Sequence, residues 1–178
     1  GFSAEDLAAL KLKWSFVFDD AVRPRSVAAV TDQAIFLADE QGSVMALDRE
    51  TGCGYWRYLA GAEVRTALTI ATVNNQQLLF FGDQQGYAYA LSAVTGELVW
   101  KKRMDDHPVA MITGSPVFYD GLLYVPISSF ETAHALNPFY SCCTFSGAIH
   151  AVEASSGNTV WKTQAISAEL KSSGRNII

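Results

Sequence analysis

Residues 86–100 read Gly-Tyr-Ala-Tyr-Ala-Leu-Ser-Ala-Val-Thr-Gly-Glu-Leu-Val-Trp. The same spacing of glycine, alanine, a Thr-Gly or Ser-Gly pair and tryptophan recurs at residues 42–56 and 147–161. Such self-similarity at a fixed period is typical of a repeat architecture. Each copy predicts a short strand, a tight turn at the glycine, and a second strand that carries the tryptophan.

The period of the repeat identifies its class. Trp56 and Trp100 lie 44 residues apart, and Trp14 precedes Trp56 by 42 residues, which fits one four-stranded propeller blade. Helical solenoids have similar periods, but the segments here are short, rich in β-branched and aromatic residues, and separated by glycine or Asx turns. We therefore predict an all-β fold, a partial β-propeller of about three antiparallel four-stranded blades docked by tryptophans, in a single domain over residues 1–178.

Each repeat tryptophan is expected to pack between neighbouring blades, beside a small alanine that leaves room for the ring, and ligand stacking is the weaker alternative. The runs Ala34–Ala38, Leu78–Phe81 and Leu122–Val125 are predicted strands. Asp120-Gly121 predicts a two-residue hairpin turn in which both residues have positive φ. The predicted blades cover residues 15–56, 57–100 and 101–161.

The N-terminal segment departs from this pattern. Ser3 and Asp6 predict a capping box that starts a single helix, and residues 1–14 are assigned to this helix and the end of a preceding blade. Ser167 is expected to begin a further element. Because three repeats cannot close a propeller, we expect a fragment whose partners are the remaining blades or a second copy of the chain.

Composition excludes several classes of function. The net charge of -5 and the lack of a Lys/Arg cluster argue against nucleic-acid binding. No stretch approaches the ~18 apolar residues of a membrane span, and no signal peptide is evident. The histidines, at 107, 134 and 150, lack metal-ligand spacing and are expected in turns, loops or on the surface. Cys53, after a turn glycine, is expected to be a small buried residue.

The last repeat contains an insertion. Trp100 and Trp161 lie 61 residues apart, and all 17 extra residues fall within 126–147, between the second and third strands of that blade. Long ordered insertions often carry function. Cys142 and Cys143, which are adjacent in it, could form a strained vicinal disulfide or remain two reduced thiols.

Five motifs resemble one enzyme family, the alcohol dehydrogenases that depend on pyrroloquinoline quinone (PQQ), and within it the polyvinyl alcohol dehydrogenases. The motifs are Val64-Arg65-Thr66-Ala67, Asp105-Asp106-His107-Pro108, Ile112-Thr113-Gly114-Ser115-Pro116, Val125-Pro126-Ile127-Ser128-Ser129-Phe130-Glu131 and Cys142-Cys143-Thr144-Phe145. The resemblance implies an eight-bladed propeller in the bacterial periplasm or secreted, with PQQ and calcium as cofactors. It further implies oxidation of secondary alcohols, with electrons passed to a cytochrome c.

The resemblance also assigns site residues. PQQ is a tricarboxylate, which needs guanidinium and hydroxyl donors, and calcium needs oxygen ligands. The residues implied to contact PQQ are Arg25, Arg65, Thr113, Ser128, Cys142 and Cys143, and Glu131 is implied to bind calcium. The family's catalytic aspartate and cytochrome domain would lie beyond Ile178, so we expect a chain that is inactive alone.

A second class of function is also compatible with the repeat. A non-catalytic propeller of the same repeat would serve as a scaffold for protein–protein interaction, since fold does not determine function. Each proposed site residue then has an ordinary role. Arg65 would be a surface ion-pair partner, Thr113 and Ser128 strand or turn residues, and Glu131 a solvated loop charge. Their joint presence within the family's motifs favours the enzyme.

Overall fold

The computed structural model describes residues 3–19, 21–142, 144–166 and 174–175. Its first element is the helix α1, Ala4–Ala8. The predicted capping box is confirmed, because Ser3 Oγ accepts from the Asp6 N–H at 3.1 Å and the Asp6 carboxylate accepts from the Ser3 N–H at 2.8 Å. Among the described helices, none combines the length and apolarity that crossing a bilayer requires.

Most of the described chain forms antiparallel sheets whose main strands follow each other in chain order. The first sheet consists of β1 (Ala29–Val30), β2 (Ala34–Ala38), β3 (Ser43–Asp48) and β4 (Gly54–Leu59). The second consists of β5 (Thr69–Val73), β6 (Gln76–Gly82), β7 (Tyr87–Ser92) and β8 (Leu98–Arg103). This arrangement confirms the predicted class of antiparallel four-stranded repeats.

The third sheet is larger. Its elements, with those of the insertion, are β9 (Ala110–Met111), β10 (Val117–Tyr119), β11 (Leu122–Ser129), α2 (Glu131–His134), β12 (Ser141–Cys142), β13 (Ala148–Glu153), β14 (Thr159–Gln164) and β15 (Gly174–Arg175). The order is β10-β11-β13-β14, with β9 paired to the end of β11, while β12 pairs with β15. The predicted Asp120-Gly121 turn joins β10 to β11, with φ of 47° and 77°.

Strand register shows that the sheets are copies of one unit. The repeat alanine lies opposite the repeat tryptophan in each sheet, as Ala46↔Trp56, Ala90↔Trp100 and Ala151↔Trp161. A register shift follows directly after that alanine in every case. The shift lies just before the glycine turn. A bulge at this position increases the local twist of the hairpin.

Two apolar cores lie between the sheets. Successive residues of β6 serve different cores, because side chains alternate between the faces of a strand. Leu79 and Phe81 pack with the first sheet, whereas Leu78 and Phe80 pack with the third. The second sheet is therefore buried on both faces, and β6 is an almost continuous apolar run.

Three tryptophans make the same contact: Trp56 and Trp100 join one sheet to the next, and Trp14 joins the N-terminal segment to the first sheet. The indole N–H donates to a backbone carbonyl from Trp14 to Arg49 (3.0 Å), from Trp56 to Ala93 (3.1 Å) and from Trp100 to Ala154 (2.8 Å). Each ring lies against the glycine three residues after that carbonyl, where an added Cβ would come within 2.6–2.9 Å of the indole. The predicted role in blade docking is confirmed for Trp56 and Trp100. Trp161 is not docked among the described residues, since it is 40% exposed and no described residue accepts a hydrogen bond from its indole N–H.

Some expectations were wrong or fall outside the described residues. Cys53 is exposed and has a free thiol, because it follows the turn glycine on the outside of the sheet. His150 is a buried strand residue rather than a turn, loop or surface residue, since it alternates with Ala148 and Val152 toward the second sheet. Residues 9–19 contain no strand, so Trp14 reaches its turn from an irregular segment. Ser167 lies outside the described residues.

Candidate functional site

The candidate site lies at one end of the sheets, which we call the site end. It is defined by the β2–β3 turn (39–42), the β6–β7 turn (83–86) and the insertion between β11 and β13. The glycine turns that receive the tryptophans lie at the opposite ends of β3, β7 and β13, and we call this the docking end.

Buried aspartates shape the first two turns of the site end. Asp39 Oδ1 accepts from the Gln41 and Ser43 N–H groups at 2.9 and 2.8 Å, and Asp83 Oδ1 accepts equivalent bonds from Gln85 and Tyr87. The backbone carbonyls of the same aspartates accept from the next sheet, from Val64 N–H at 3.3 Å and Ile112 N–H at 3.0 Å. These bonds hold the segments before β5 and β10 at the site end.

Three predicted site residues occupy equivalent positions in those segments. Arg25, Arg65 and Thr113 each lie four residues before the first residue of β1, β5 and β10. Arg65 and Thr113 directly follow the residues that bond to Asp39 and Asp83. The fold thus places one polar side chain per sheet at the site end.

Arg65 belongs to a polar cluster that the sequence did not reveal. Its Nε and Nη2 donate to the two carboxylate oxygens of Glu63 at 2.7 and 3.1 Å, and Gln84 donates to the same carboxylate at 2.6 Å. The Arg65 side chain remains one-third exposed. Within the described residues no acceptor bonds its Nη1, so this group can donate to a further acceptor. The acid two residues before Arg65 was the only sequence signal for the cluster.

Thr113 and Ser128 meet directly. Their hydroxyl oxygens are 2.9 Å apart, and Ser128 Oγ lies 3.3 Å from the Met111 carbonyl oxygen that it can donate to. Register explains the contact, since Ser128 pairs with Met111 where β9 joins β11. Both hydroxyls are only partly buried. Each hydroxyl has one proton, so while Ser128 donates to Thr113 or to the Met111 carbonyl, the Thr113 hydroxyl is the one that can donate to a further acceptor.

The insertion begins at the position where the first two sheets have the turn aspartate. Strand register puts Ile127 at the position of Asp39 and Asp83, and Ile127 pairs with Ala148 instead of capping a turn. The chain then continues through Ser128 and Ser129 into α2. An apolar residue at this position was the local signal that the tight turn is absent.

Glu131 anchors the insertion. The side chain is buried, and its carboxylate accepts from Tyr140 Oη (2.9 Å), Thr144 N–H (2.8 Å), Thr144 Oγ1 (3.2 Å) and Phe145 N–H (3.0 Å). Burial alone raises the pKa of Glu131, but the bonds from Thr144, Phe145 and Tyr140 outweigh it and hold the pKa below its usual range. The carboxylate therefore ties both ends of the inserted loop together.

A hydrogen-bond chain links this anchor to the segment before β9. Val109 N–H donates to His107 Nδ1 at 3.4 Å, so in the neutral ring Nε2 carries the proton and donates to Thr144 Oγ1 at 3.0 Å. Thr144 Oγ1 in turn donates to Glu131. The His107 and Phe145 rings also lie 4.8 Å apart. His107 and Thr144 lie in two of the quoted motifs, but their pairing could not be read from the sequence.

The other predicted site residues are not part of these hydrogen-bond clusters as far as the structure describes them. Arg25 is exposed, and no other described residue forms a hydrogen bond or ion pair with it. Cys142 is buried in β12, while Cys143 lies outside the described residues. The vicinal disulfide therefore stays a prediction, which intact mass before and after reduction and alkylation will test. Thr113 and Ser128 are the predicted pair that the fold brings into contact.

Calcium does not fit Glu131 in this arrangement. Calcium takes 6–8 oxygen ligands, often carboxylates, whereas both oxygens of Glu131 already accept protein hydrogen bonds. Over the part of the chain that the structure describes, no group of three or more His, Cys, Asp or Glu side chains could hold a metal ion. We therefore derive no chemistry through calcium.

Comparison with known proteins places these features in a family context. The PQQ_2 family model, described as "Outer membrane protein assembly factor BamB", matches residues 11–176. The chain is 39% identical over 167 residues to a polyvinylalcohol dehydrogenase of Pseudomonas sp, covering 92% of this chain and 26% of that protein. It is also 39% identical over 161 residues to a polyvinylalcohol dehydrogenase of Sphingopyxis sp. (strain 113P3), covering 88% of this chain and 24% of that protein.

A solved structure shows the same fold. Europium-containing methanol dehydrogenase superposes with a TM-score of 0.66 at 22% identity, over 90% of this chain and 28% of that chain. The chain spans about a quarter of the length of the curated relatives it matches.

Proposed function

The chain belongs to the PQQ_2 family of propeller repeats, and we propose that it is part of a PQQ-dependent alcohol dehydrogenase related to the polyvinyl alcohol dehydrogenases. Its residues at the site end would form part of the quinone pocket. PQQ, when bound, supplies the two-electron acceptor for oxidation of an alcohol. The proposal includes a secondary alcohol as substrate, a periplasmic location and a cytochrome c as electron acceptor.

One observation carries this proposal: equivalent positions of successive sheets present anion-binding groups at the same end. Arg65 has a free Nη1 beside a fixed Glu63–Gln84 cluster, and Thr113 contributes to a hydroxyl pair with Ser128. A guanidinium and paired hydroxyls suit the carboxylates of PQQ. A structural scaffold has no need of these donors at a partly exposed sheet end.

Each residue of the proposed pocket would have a separate role. Glu63 and Gln84 would orient Arg65, so that its remaining N–H groups point to the ligand with little loss of side-chain entropy. Thr113 would donate to a second oxygen group of the ligand, with Ser128 beside it. Glu131 would hold the insertion over the site, where it would exclude water. Arg25 and Cys142 are kept in the proposal as further contacts, with Cys143.

Binding of PQQ to the chain tests the proposal. In equilibrium dialysis monitored by quinone absorbance, we expect weak binding, because the chain supplies only part of the pocket. Arg65→Ala should abolish it, and Thr113→Val should weaken it. Arg49→Ala, an exposed arginine at the docking end, is the matched control and should bind as the wild type does. Equal losses for both arginine variants would indicate non-specific attraction and contradict the proposed site.

Turnover by the chain alone is not expected. The residues described here include no proposed proton acceptor for the alcohol, and a dye-linked assay with a secondary alcohol, PQQ and calcium should give no rate above background. Measurable turnover would show that the catalytic groups are already within this chain.

The description of the matched family model favours one alternative, a non-catalytic propeller that binds protein. The dialysis experiment separates the two functions. A scaffold should bind no PQQ at any concentration tested, and the Arg65 variant should then behave as the wild type does.

A further inference from the structure

The turn between β6 and β7 holds two neighbouring segments of the site end. Gln84 donates twice to Glu63, from its backbone N–H to the carbonyl at 3.0 Å and from its side chain to the carboxylate at 2.6 Å. On the other side, the Asp83 carbonyl accepts at 3.0 Å from the N–H of the residue directly before Thr113. Since Glu63 orients Arg65, the position of this turn sets how Arg65 and Thr113 lie relative to each other.

A buried tyrosine fixes the turn from the interface with the first sheet. Tyr89 is fully buried there, and its hydroxyl donates to Asp83 Oδ2 at 2.6 Å and accepts from the Gly61 N–H at 3.2 Å. Because the amide can only donate, the single hydroxyl proton belongs to the bond with the carboxylate. Gly61 lies two residues before Glu63. The hydroxyl therefore bridges the turn to the same segment that Gln84 holds.

The Tyr89 ring is held in place independently of its hydroxyl. Phe81 stacks on the ring with centroids 4.7 Å apart, and Tyr58 meets it edge-on at 6.2 Å. Burial, followed by the bond to Asp83, raises the pKa of Tyr89, so the hydroxyl keeps its proton at neutral pH. Removal of the hydroxyl alone would thus leave the ring packed, but Asp83 Oδ2 would lose the donor that the structure gives it.

The bridge is not repeated in the other described sheets. Register gives Met45 and His150 the place of Tyr89, one residue before the repeat alanine. Methionine has no hydroxyl, and neither ring nitrogen of His150 has a hydrogen-bond partner among the described residues. In the third sheet the turn aspartate is also replaced, by Ile127. The bridge therefore belongs to the second sheet, whose turn contacts both polar segments.

We infer that Tyr89 is a positioning residue for the proposed anion-binding groups: through Asp83 it holds the turn 83–86 where Arg65 and Thr113 can bond the same ligand. The inference rests on the proposed function, since it assumes that these two residues receive carboxylates of the quinone. Tyr89 is fully buried between the first two sheets, so it acts through the turn and not by contact with the ligand.

Tyr89→Phe tests the inference, with Tyr58→Phe as its matched control. Tyr58 belongs to the same aromatic contact, but its hydroxyl bonds to no described residue. In equilibrium dialysis with PQQ, Tyr89→Phe should bind about fivefold more weakly than the wild type, the change expected when one hydrogen bond no longer holds the binding groups in place. Tyr58→Phe should bind as the wild type does.

NMR measurements without ligand separate positioning from a general loss of stability. In Tyr89→Phe, the amides that bond to Asp83, among them those of Gln85 and Ile112, should exchange faster, while the central amides of β6 should stay protected. The Arg65 Nε–H resonance, which reports its bond to the neighbouring carboxylate, should shift. Neither change should occur in the control variant.

Two results would overturn the inference. One is unchanged PQQ binding by folded Tyr89→Phe. The other is equally faster exchange throughout β6 and β7, because Tyr89 would then only stabilise the sheet. If the wild type binds no PQQ, the proposed function fails instead, and the exchange and resonance measurements alone decide whether Tyr89 holds the turn and Arg65 in place.

Discussion

The docking end and the site end belong to the same sheets but differ in how regularly their contacts repeat. At the docking end, the same indole–glycine contact occurs three times with N–O distances of 2.8–3.1 Å. At the site end, two aspartate-capped turns give way to an insertion held by a buried glutamate. The same contact is repeated where neighbouring elements pack against each other. The turns at the site end, in contrast, differ from sheet to sheet. The three sheets therefore differ most from one another at the site end.

The largest expected effect is at the docking end. Gly96→Ala combines positive φ with a Cβ that would lie 2.6 Å from Trp56, and we expect it to lower the free energy of unfolding by about 3 kcal/mol. Gly121→Ala is the matched control, because Gly121 has φ of 77° but nothing within 4 Å of an added Cβ. It should cost only about 1 kcal/mol. Urea unfolding measures both, and equal losses would mean that the indole contact adds nothing.

A smaller and more local effect is expected at the site end. Glu131→Gln places an amide NH₂ among donors, and we expect it to destabilise the insertion by about 2 kcal/mol. Amide exchange should accelerate at Thr144 and Phe145 while β6 and β7 stay protected. Glu153→Gln, at an exposed carboxylate, is the control and should leave the insertion unchanged. Adding calcium to the wild type should not slow this exchange; marked protection by calcium would show that Glu131 exchanges its protein partners for the metal.

We expect His150 to make the interface between the second and third sheets sensitive to pH. Burial lowers the pKa of His150, and Lys162 and Lys102 lower it further against the opposing charge of Asp105. Neither ring nitrogen has a hydrogen-bond partner among the described residues. Below the ordinary pKa of 6.5, the unfolded chain binds a proton that the folded chain resists. Stability should therefore be full above pH 6.5 and decline as the pH falls toward the lowered pKa.

The measurement is urea unfolding as a function of pH, kept above about pH 5 so that carboxylates stay ionised. His150→Leu should remove most of the decline, whereas His134→Gln, at an exposed histidine, should keep it. An unchanged slope in the His150 variant would assign the decline to other groups.

The smallest effect concerns the hydrogen-bond chain from His107. Thr144→Val keeps the shape of the side chain but removes the hydroxyl between His107 and Glu131, at a cost of about 1 kcal/mol. Exchange of the Thr144 and Phe145 amides should rise less than in Glu131→Gln. Thr95→Val, in an exposed turn at the docking end, is the control and should not affect the insertion.

The same contrast explains what the sequence could predict. Strands, glycine turns and tryptophan docking follow from short-range spacing that recurs three times, so they could be read directly from the chain. The role of Glu131 could not, because its donors lie nine to fourteen residues away in a segment without periodicity. His150 was misjudged because it was treated alone, although its alternation with Ala148 and Val152 predicts an inward direction. The bond from Gln84 to Glu63, which completes the Arg65 cluster, comes from a turn 21 residues away and could not be read from the sequence.

The double burial of the second sheet also sets the order in which the molecule can come apart. Its strand β6 contributes to both cores, so opening this sheet would expose two apolar interfaces at once, whereas opening the first or third exposes one. Among the described sheets, the one that is buried on both faces loses the most packing when it opens, so its opening should be the least frequent. The stability of the first and third sheets therefore depends on the second sheet, because each of them packs against it.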